Sequence, residues 1–168
     1  MSVRPDPTPY FIAAAQGVAQ GGQPGASLAA LDAALAGAVG HKLFTVLAVN
    51  LERRETQRYY TNMPETYPVG GTKPILQDNA GMMAVINEGT CRINHDYAAL
   101  KVAFFDHELI RSLGCESSVN IPVRWNGQTL GMLNILHESG YYSAADVPVL
   151  RVFGALAVPA LLDIIRGW

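Results

Sequence analysis

The chain has 168 residues, 49% of them hydrophobic and 15% charged, with a formal charge of −2. That length suits one domain with a real hydrophobic core, and the composition excludes a wholly disordered chain. The near-neutral charge and scattered basic residues, with Arg53-Arg54 the only adjacent pair, give no electrostatic reason to expect a nucleic-acid partner.

The first residues, MSVRPDPTPYFIAAA, lack the apolar run and cleavage geometry of an export signal. No stretch reaches the roughly 18 uninterrupted apolar residues of a membrane span. The two cysteines, Cys91 and Cys115, lack C-x-x-C spacing and are too few to staple a scaffold. A cytoplasmic protein with reduced thiols and no membrane partner is the expectation.

Pro5, Pro7 and Pro9 predict an extended start, followed by a short helix over Tyr10 to Ala19 that Gly21-Gly22 and Pro24-Gly25 end. Ser27 reads as the cap of a second helix, SLAALDAALAGAV, with Leu28, Leu31 and Leu35 on one face. Phe44 to Leu51 and Thr56 to Thr61 read as strands. The turn Glu52-Arg53-Arg54-Glu55 is short enough that they must run antiparallel. Met63 to Pro74 holds three prolines and Gly70-Gly71, which predicts a loop or sheet edge. A helix over Ile75 to Asn87, a short strand around Thr90 to Ile93, and a helix or broken pair from Asp96 to Leu113 come next.

Asn126-Gly127 marks a tight hairpin between two long strands. The second of these, Leu130 to His137, is apolar on both faces and so reads as a central, covered strand. Asn120 and Asn134 interrupt those apolar runs. After the loop Ser139 to Ser143, Ser143 and Asp146 start a last helix, which Pro159 should kink at or just before Val158. Its second face, Val149, Val152, Leu156 and Ala160, is also poor in charge. That predicts a homodimer through the terminal helices, with the first helices of the same chain as the competing cover. Helices alternate with hairpins and no strand–helix–strand unit repeats, so the fold class is α+β with an antiparallel sheet.

Neither His95-Asp96 nor Asp106-His107-Glu108 has metal-site spacing. Asp106 reads instead as the cap of a helix starting at His107, and Asn94 or Asp96 as the cap of the preceding segment. No metal and no cofactor are expected.

Two segments, FTVLAVNLERRETQRYYTN at 44–62 and HELIRSLGCESSVNIPVRWNGQTLGMLNILHESGYYSAAD at 107–146, together with the helix that follows, resemble the GAF family. This family comprises small ligand-binding and regulatory domains of signalling proteins. The resemblance covers roughly residues 25–166 and implies a profilin-like architecture. A central sheet of five or six strands would carry terminal helices on one face, with loops and short helices over a small-molecule pocket on the other. Residues 1–24 then form an N-terminal extension and 25–168 a single domain. No segment resembles a kinase, cyclase or DNA-binding unit, so the domain is expected to bind a metabolite and act on a separate partner.

The expected polar anchors of that pocket are Asn120, Asn134, His107 and Arg111. Tyr60, Met82, Met83, Phe104 and Phe105 would supply its apolar lining. The asparagines satisfy their amides on a ligand, on loop backbone or on each other, and Arg111 binds an anion or pairs with Glu108. The family's cyclic-nucleotide residue set is absent, and neither cysteine precedes a histidine as in the bilin-binding members. Two alternatives are a ligand-free dimerisation scaffold and a thiol enzyme reducing free methionine sulfoxide through Cys115 and Cys91. The enzyme's additional upstream cysteine is missing from PETYPVGGTKP, which leaves these two with the plainer roles of buried thiols.

Overall fold

The computed structural model describes residues 3–168. Strands β1 (Leu43–Asn50), β2 (Glu55–Thr61), β3 (Thr72–Pro74), β4 (Arg92–Asn94), β5 (Ser117–Trp125) and β6 (Gln128–His137) form one antiparallel sheet in the order β3-β2-β1-β6-β5-β4. The central position of β6, between β1 and β5, accounts for its apolar residues on both faces. Asn126 and Gly127 take φ of 50° and 75° at the β5–β6 turn. A tight hairpin needs such positive angles, and Asn-Gly adopts them at low cost.

One face of the sheet carries α1 (Thr8–Val18), α2 (Gly25–Ala38), α6 (Val147–Leu156) and α7 (Val158–Arg166). The main core lies here, with Leu31, Leu35, Phe44, Ile121, Leu133, Ile135, Phe153 and Leu161 fully enclosed. Ser27 does not cap α2. The helix starts two residues earlier, with Pro24 at the cap position, and the buried Ser27 hydroxyl donates to Gln23 Oε1 at 2.6 Å. Proline is compatible with a helix start because its fixed φ is already helical and its missing N–H is not needed there. Pro159 sits in the first turn of α7, and α6 and α7 bend by 41° across Ala157.

The charge-poor face of the last helices is covered in good part within the chain. α1 packs on α2 and α6, and Phe11 meets Phe153 at 5.1 Å between ring centroids. Arg4 adds a polar staple, donating to the buried Asp146 carboxylate at 2.9 Å and to the carbonyls of Val39 and Tyr141. Of Val149, Val152, Leu156 and Ala160, only Val152 remains exposed. Among the described residues no single helix is long and apolar enough to cross a membrane.

The other face is covered by α3 (Ala80–Met83), which continues as a π turn over Ala84–Glu88, and by α4 (Tyr97–Ala103) and α5 (His107–Ser112). The helix expected from Ile75 begins only after Asn79, whose Oδ1 accepts the Met82 N–H at 3.1 Å. Ile75 stays extended because its N–H is taken by the Arg54 carbonyl at 2.8 Å, which ties it to the β1–β2 turn.

Candidate functional site: a cavity between the sheet and the α4 cover

A cavity of about 240 Å³ lies between the sheet and this cover. Its floor is set by strand register. Thr45 of β1 lies opposite Asn134 of β6, which lies opposite Asn120 of β5, so all three side chains share one face. Asn120 Nδ2 donates to Asn134 Oδ1 at 2.6 Å, and Asn134 Nδ2 donates to Thr45 Oγ1 at 3.3 Å. All three residues are buried, so this row satisfies part of its own bonding capacity while leaving the rest turned to the cavity.

The wall beside the floor comes from β2 and the Met63–Pro74 segment. Thr56 and Arg58 face inward together. Arg58 is 7% exposed, its Cζ lies 3.7 Å from the Tyr67 ring centroid, and Nη1 donates to the Pro68 carbonyl at 2.7 Å. Its Nε is buried with no partner. Next to it, the Tyr67 hydroxyl donates to Asp106 Oδ2 at 2.6 Å, and Lys73 Nζ reaches both Asp106 oxygens at 3.2 Å. Burial pulls the Lys73 ammonium below the usual lysine range, and Asp106 acts in the opposite direction. Burial and then the Asp106 bond push the Tyr67 hydroxyl up, so it remains a neutral donor. Asp106 occupies the position before α5, as expected, but makes no capping bond because its carboxylate is committed to Tyr67 and Lys73.

The structure brings Asn120, Asn134, Met82, Phe104 and Phe105 together around this cavity. Phe105 is 77% exposed and stands at its mouth. Two expected anchors, His107 and Arg111, and two expected lining residues, Tyr60 and Met83, lie elsewhere. Strict alternation from Thr56 and Arg58 would bring Tyr60 inward. The β1–β2 register slips instead, so that Leu47 faces Arg58 while Val46 faces Tyr60. The extra residue, Tyr59, is a β-bulge that sends Tyr60 to the helix side, where its hydroxyl donates to Asp32 at 2.7 Å. His107 is not among the residues lining the cavity, and its Nδ1 lies 2.8 Å from the Tyr97 hydroxyl. Arg111 lies over the Tyr97 ring at 4.3 Å and bonds Glu116 at 3.0 Å, not Glu108. Met83 lines a separate shallow recess with Leu51, Ile75 and Ile86.

Among the residues that sequence reasoning missed are Arg58, Tyr67 and Lys73, with Asp106 held against the last two. Only Arg58 carried a local signal, a basic residue two positions from Thr56 in a strand; the others meet through loops.

The two thiols lie on opposite sides of the sheet. Cys115 is enclosed with Leu43, Tyr67, Leu100 and Ile110 on the cavity side, whereas half-buried Cys91 packs against the helix-side core. Burial pushes the Cys115 thiol up to about 11 and raises that of Cys91, opposite to what a nucleophilic thiolate requires. Among the described residues no group of three His, Cys, Asp or Glu side chains is placed to hold a metal ion.

A six-stranded antiparallel sheet with helices on one face and a covered cavity on the other defines a profilin-like type of α+β domain. The GAF domain family model matches residues 25–161, and the chain belongs to the GAF family, whose members are characteristically sensory or regulatory modules. No curated protein matches the chain. Among solved structures, the GAF domain of an Acinetobacter phosphoenolpyruvate-protein phosphotransferase is similar at a TM-score of 0.73 and 11% identity, over 95% of this chain and 94% of that one. A methyl-accepting chemotaxis protein segment is similar at 0.68 and 16%, over 94% and 99%. The chromophore-binding domain of a bacteriophytochrome from R. palustris is similar at 0.69 and 8%, over 96% of this chain and 63% of that one. At these identities the likeness is one of fold.

Proposed function

We propose that this protein is a metabolite sensor: a small molecule enters the cavity over Thr45, Asn134 and Asn120, and its presence is read by a separate effector. The observation that carries this reading is an open cavity with a hydrogen-bonding floor of buried Thr45, Asn134 and Asn120. A core selected only for stability would fill such a space, because a cavity forfeits contacts and buried amides are costly unless satisfied. The volume is below the ~300–1,000 Å³ of drug-sized sites, which favours a compact metabolite over a large chromophore.

Occupancy would order the Met63 to Leu113 cover, and the sheet offers a route to its other face. β6 presents Met132 and Asn134 towards the cover, while Gly131, an odd number of residues from both along the same strand and so on its other face, lies under Leu161 of α7. A change in strand packing is thereby passed to the terminal helices. Residues 25–168 form the binding unit in this reading, and α1 in residues 1–24 tunes the helix face. Two copies pairing over the part of α6 that α1 leaves open, around Val152, give the homodimer. The two unpaired thiols suit a reducing, cytoplasmic setting.

Native mass spectrometry after incubation with a metabolite extract, with a thermal-shift assay in parallel, tests the proposal. A retained small molecule that raises the melting temperature by several degrees supports it. A chain that retains nothing and does not shift counts against sensing. Light scattering with and without the retained compound reports the pairing of copies.

A further inference from the structure

The most unusual group around the cavity is the Arg58 guanidinium. It is buried, always charged, and has no carboxylate partner among the described residues. Its neighbour Lys73 is neutralised by Asp106, and Lys101, which also lines the cavity, is exposed to solvent. Arg58 is therefore the buried positive charge of the wall that has no counter-ion among the described residues. A buried cation in this state is expensive, and a polar donor without an acceptor adds to the cost. The Nη1 bond to Pro68 and the stack on Tyr67 hold the guanidinium plane in place without neutralising it.

We infer that the ligand is a compact organic monocarboxylate whose carboxylate supplies the missing counter-ion to Arg58 and whose hydrogen-bonding groups meet the Asn120–Asn134 amide pair. The inference rests on the sensing proposal for the same cavity and names its ligand class. A guanidinium fork matches a carboxylate in plane and bond spacing. One buried uncompensated charge balances one negative charge, whereas a phosphate dianion would bring a second negative charge that Arg58 alone does not balance. At ~30 Å³ per water the cavity equals about eight waters, enough for an acid with a short or single-ring body. Leu47, Met82, Phe104 and Ile110 present apolar surface for that body.

The full chain is titrated by calorimetry and thermal shift with two matched sets: small monocarboxylic acids, including lactate, benzoate and 4-hydroxybenzoate, and their primary amides. Orthophosphate serves as a third probe. The expected result is that one or more acids bind at least tenfold more tightly than their amides. That preference is lost in Arg58→Met, which keeps the aliphatic stem on Tyr67, and partly retained in Arg58→Lys. The Arg58→Met chain, freed of an unpaired buried charge, should melt no lower than the parent. Amides binding as well as acids, or acid binding undiminished in a folded Arg58→Met, overturns the anion inference while leaving the sensing proposal standing. Phosphate binding more tightly than every acid overturns the monocarboxylate assignment. Failure of all probes, with the cavity closed in a crystal structure of the protein, overturns both.

Discussion

At the scale of single residues, the cavity shows how hydrogen-bond satisfaction decides cost. Asn134 stands between Thr45 and Asn120, so Asn134→Ala strands a buried amide and a hydroxyl at once. Urea denaturation should show a loss of about 1–3 kcal/mol for Asn134→Ala. The double replacement Asn120→Leu with Asn134→Leu removes both amides together and should cost less than the single alanine, while abolishing ligand binding. Cys115 sets a pH dependence whose sign follows from its buried thiol. Its pKa rises from 9.0 to about 11, so below pH 9 both folded and unfolded chains keep the proton and this contribution is fully present. Between pH 9 and 11 the unfolded chain releases its proton first, and stability falls as pH rises. The loss amounts to about 2 kcal/mol by pH 11. Denaturation midpoints measured at pH 8 and pH 10.5 should differ less in Cys115→Ala than in the parent. The two asparagines were legible in the sequence because they interrupt apolar strands. Arg58 was harder to single out, because a lone arginine in a strand is charged surface unless something shows that it is buried.

Among the elements, β6 has the least freedom. Its Gly131 lies beneath Leu161 and against the β1 backbone, so an added Cβ would overlap the Leu47 carbonyl oxygen and crowd Leu161 Cδ1. Backbone cannot move aside as a flexible side chain does. Gly131→Ala should therefore cost about 3 kcal/mol or more, whereas Gly21→Ala, with open space around it, should stay within about 0.5 kcal/mol of the parent in the same denaturation assay. The strands, the Asn-Gly hairpin and the bend at Pro159 could be read from residue type because each follows from a local steric or hydrogen-bonding rule. The start of α3 could not, since the Arg54 carbonyl that holds Ile75 out of the helix is about twenty residues distant in the chain. The bulge at Tyr59 also left no local mark, and with it the side of the sheet that Tyr60 would occupy stayed open to misreading.

Across the whole molecule, the two sides of the sheet differ in how firmly they are held. The helix side has a continuous apolar core closed by the Arg4 staple, while the cover consists of short elements around a cavity with exposed Leu76, Val102 and Phe105. Native-state hydrogen exchange should find α3, α4 and α5 opening at lower free energy than β1, β5 and β6, with ligand protecting the cover first. Uniform protection across both sides would contradict this division. The residue pattern by itself determined the α+β class, the antiparallel pairing, the central place of β6 and the family resemblance. The first three rest on hydrophobic patterning, turn chemistry and local spacing, which are properties of neighbours in the chain, and the last on the likeness of segments 44–62 and 107–146 to a known family. Only the tertiary structure decided which side chains share the cavity, that α1 covers much of the last helices, and that the two thiols face away from each other. Those outcomes depend on register slips and on contacts between distant segments. A single bulge reverses the facing of every later residue in its strand, and the counter-ion of a lysine or the lack of one for an arginine depends on what loops bring near.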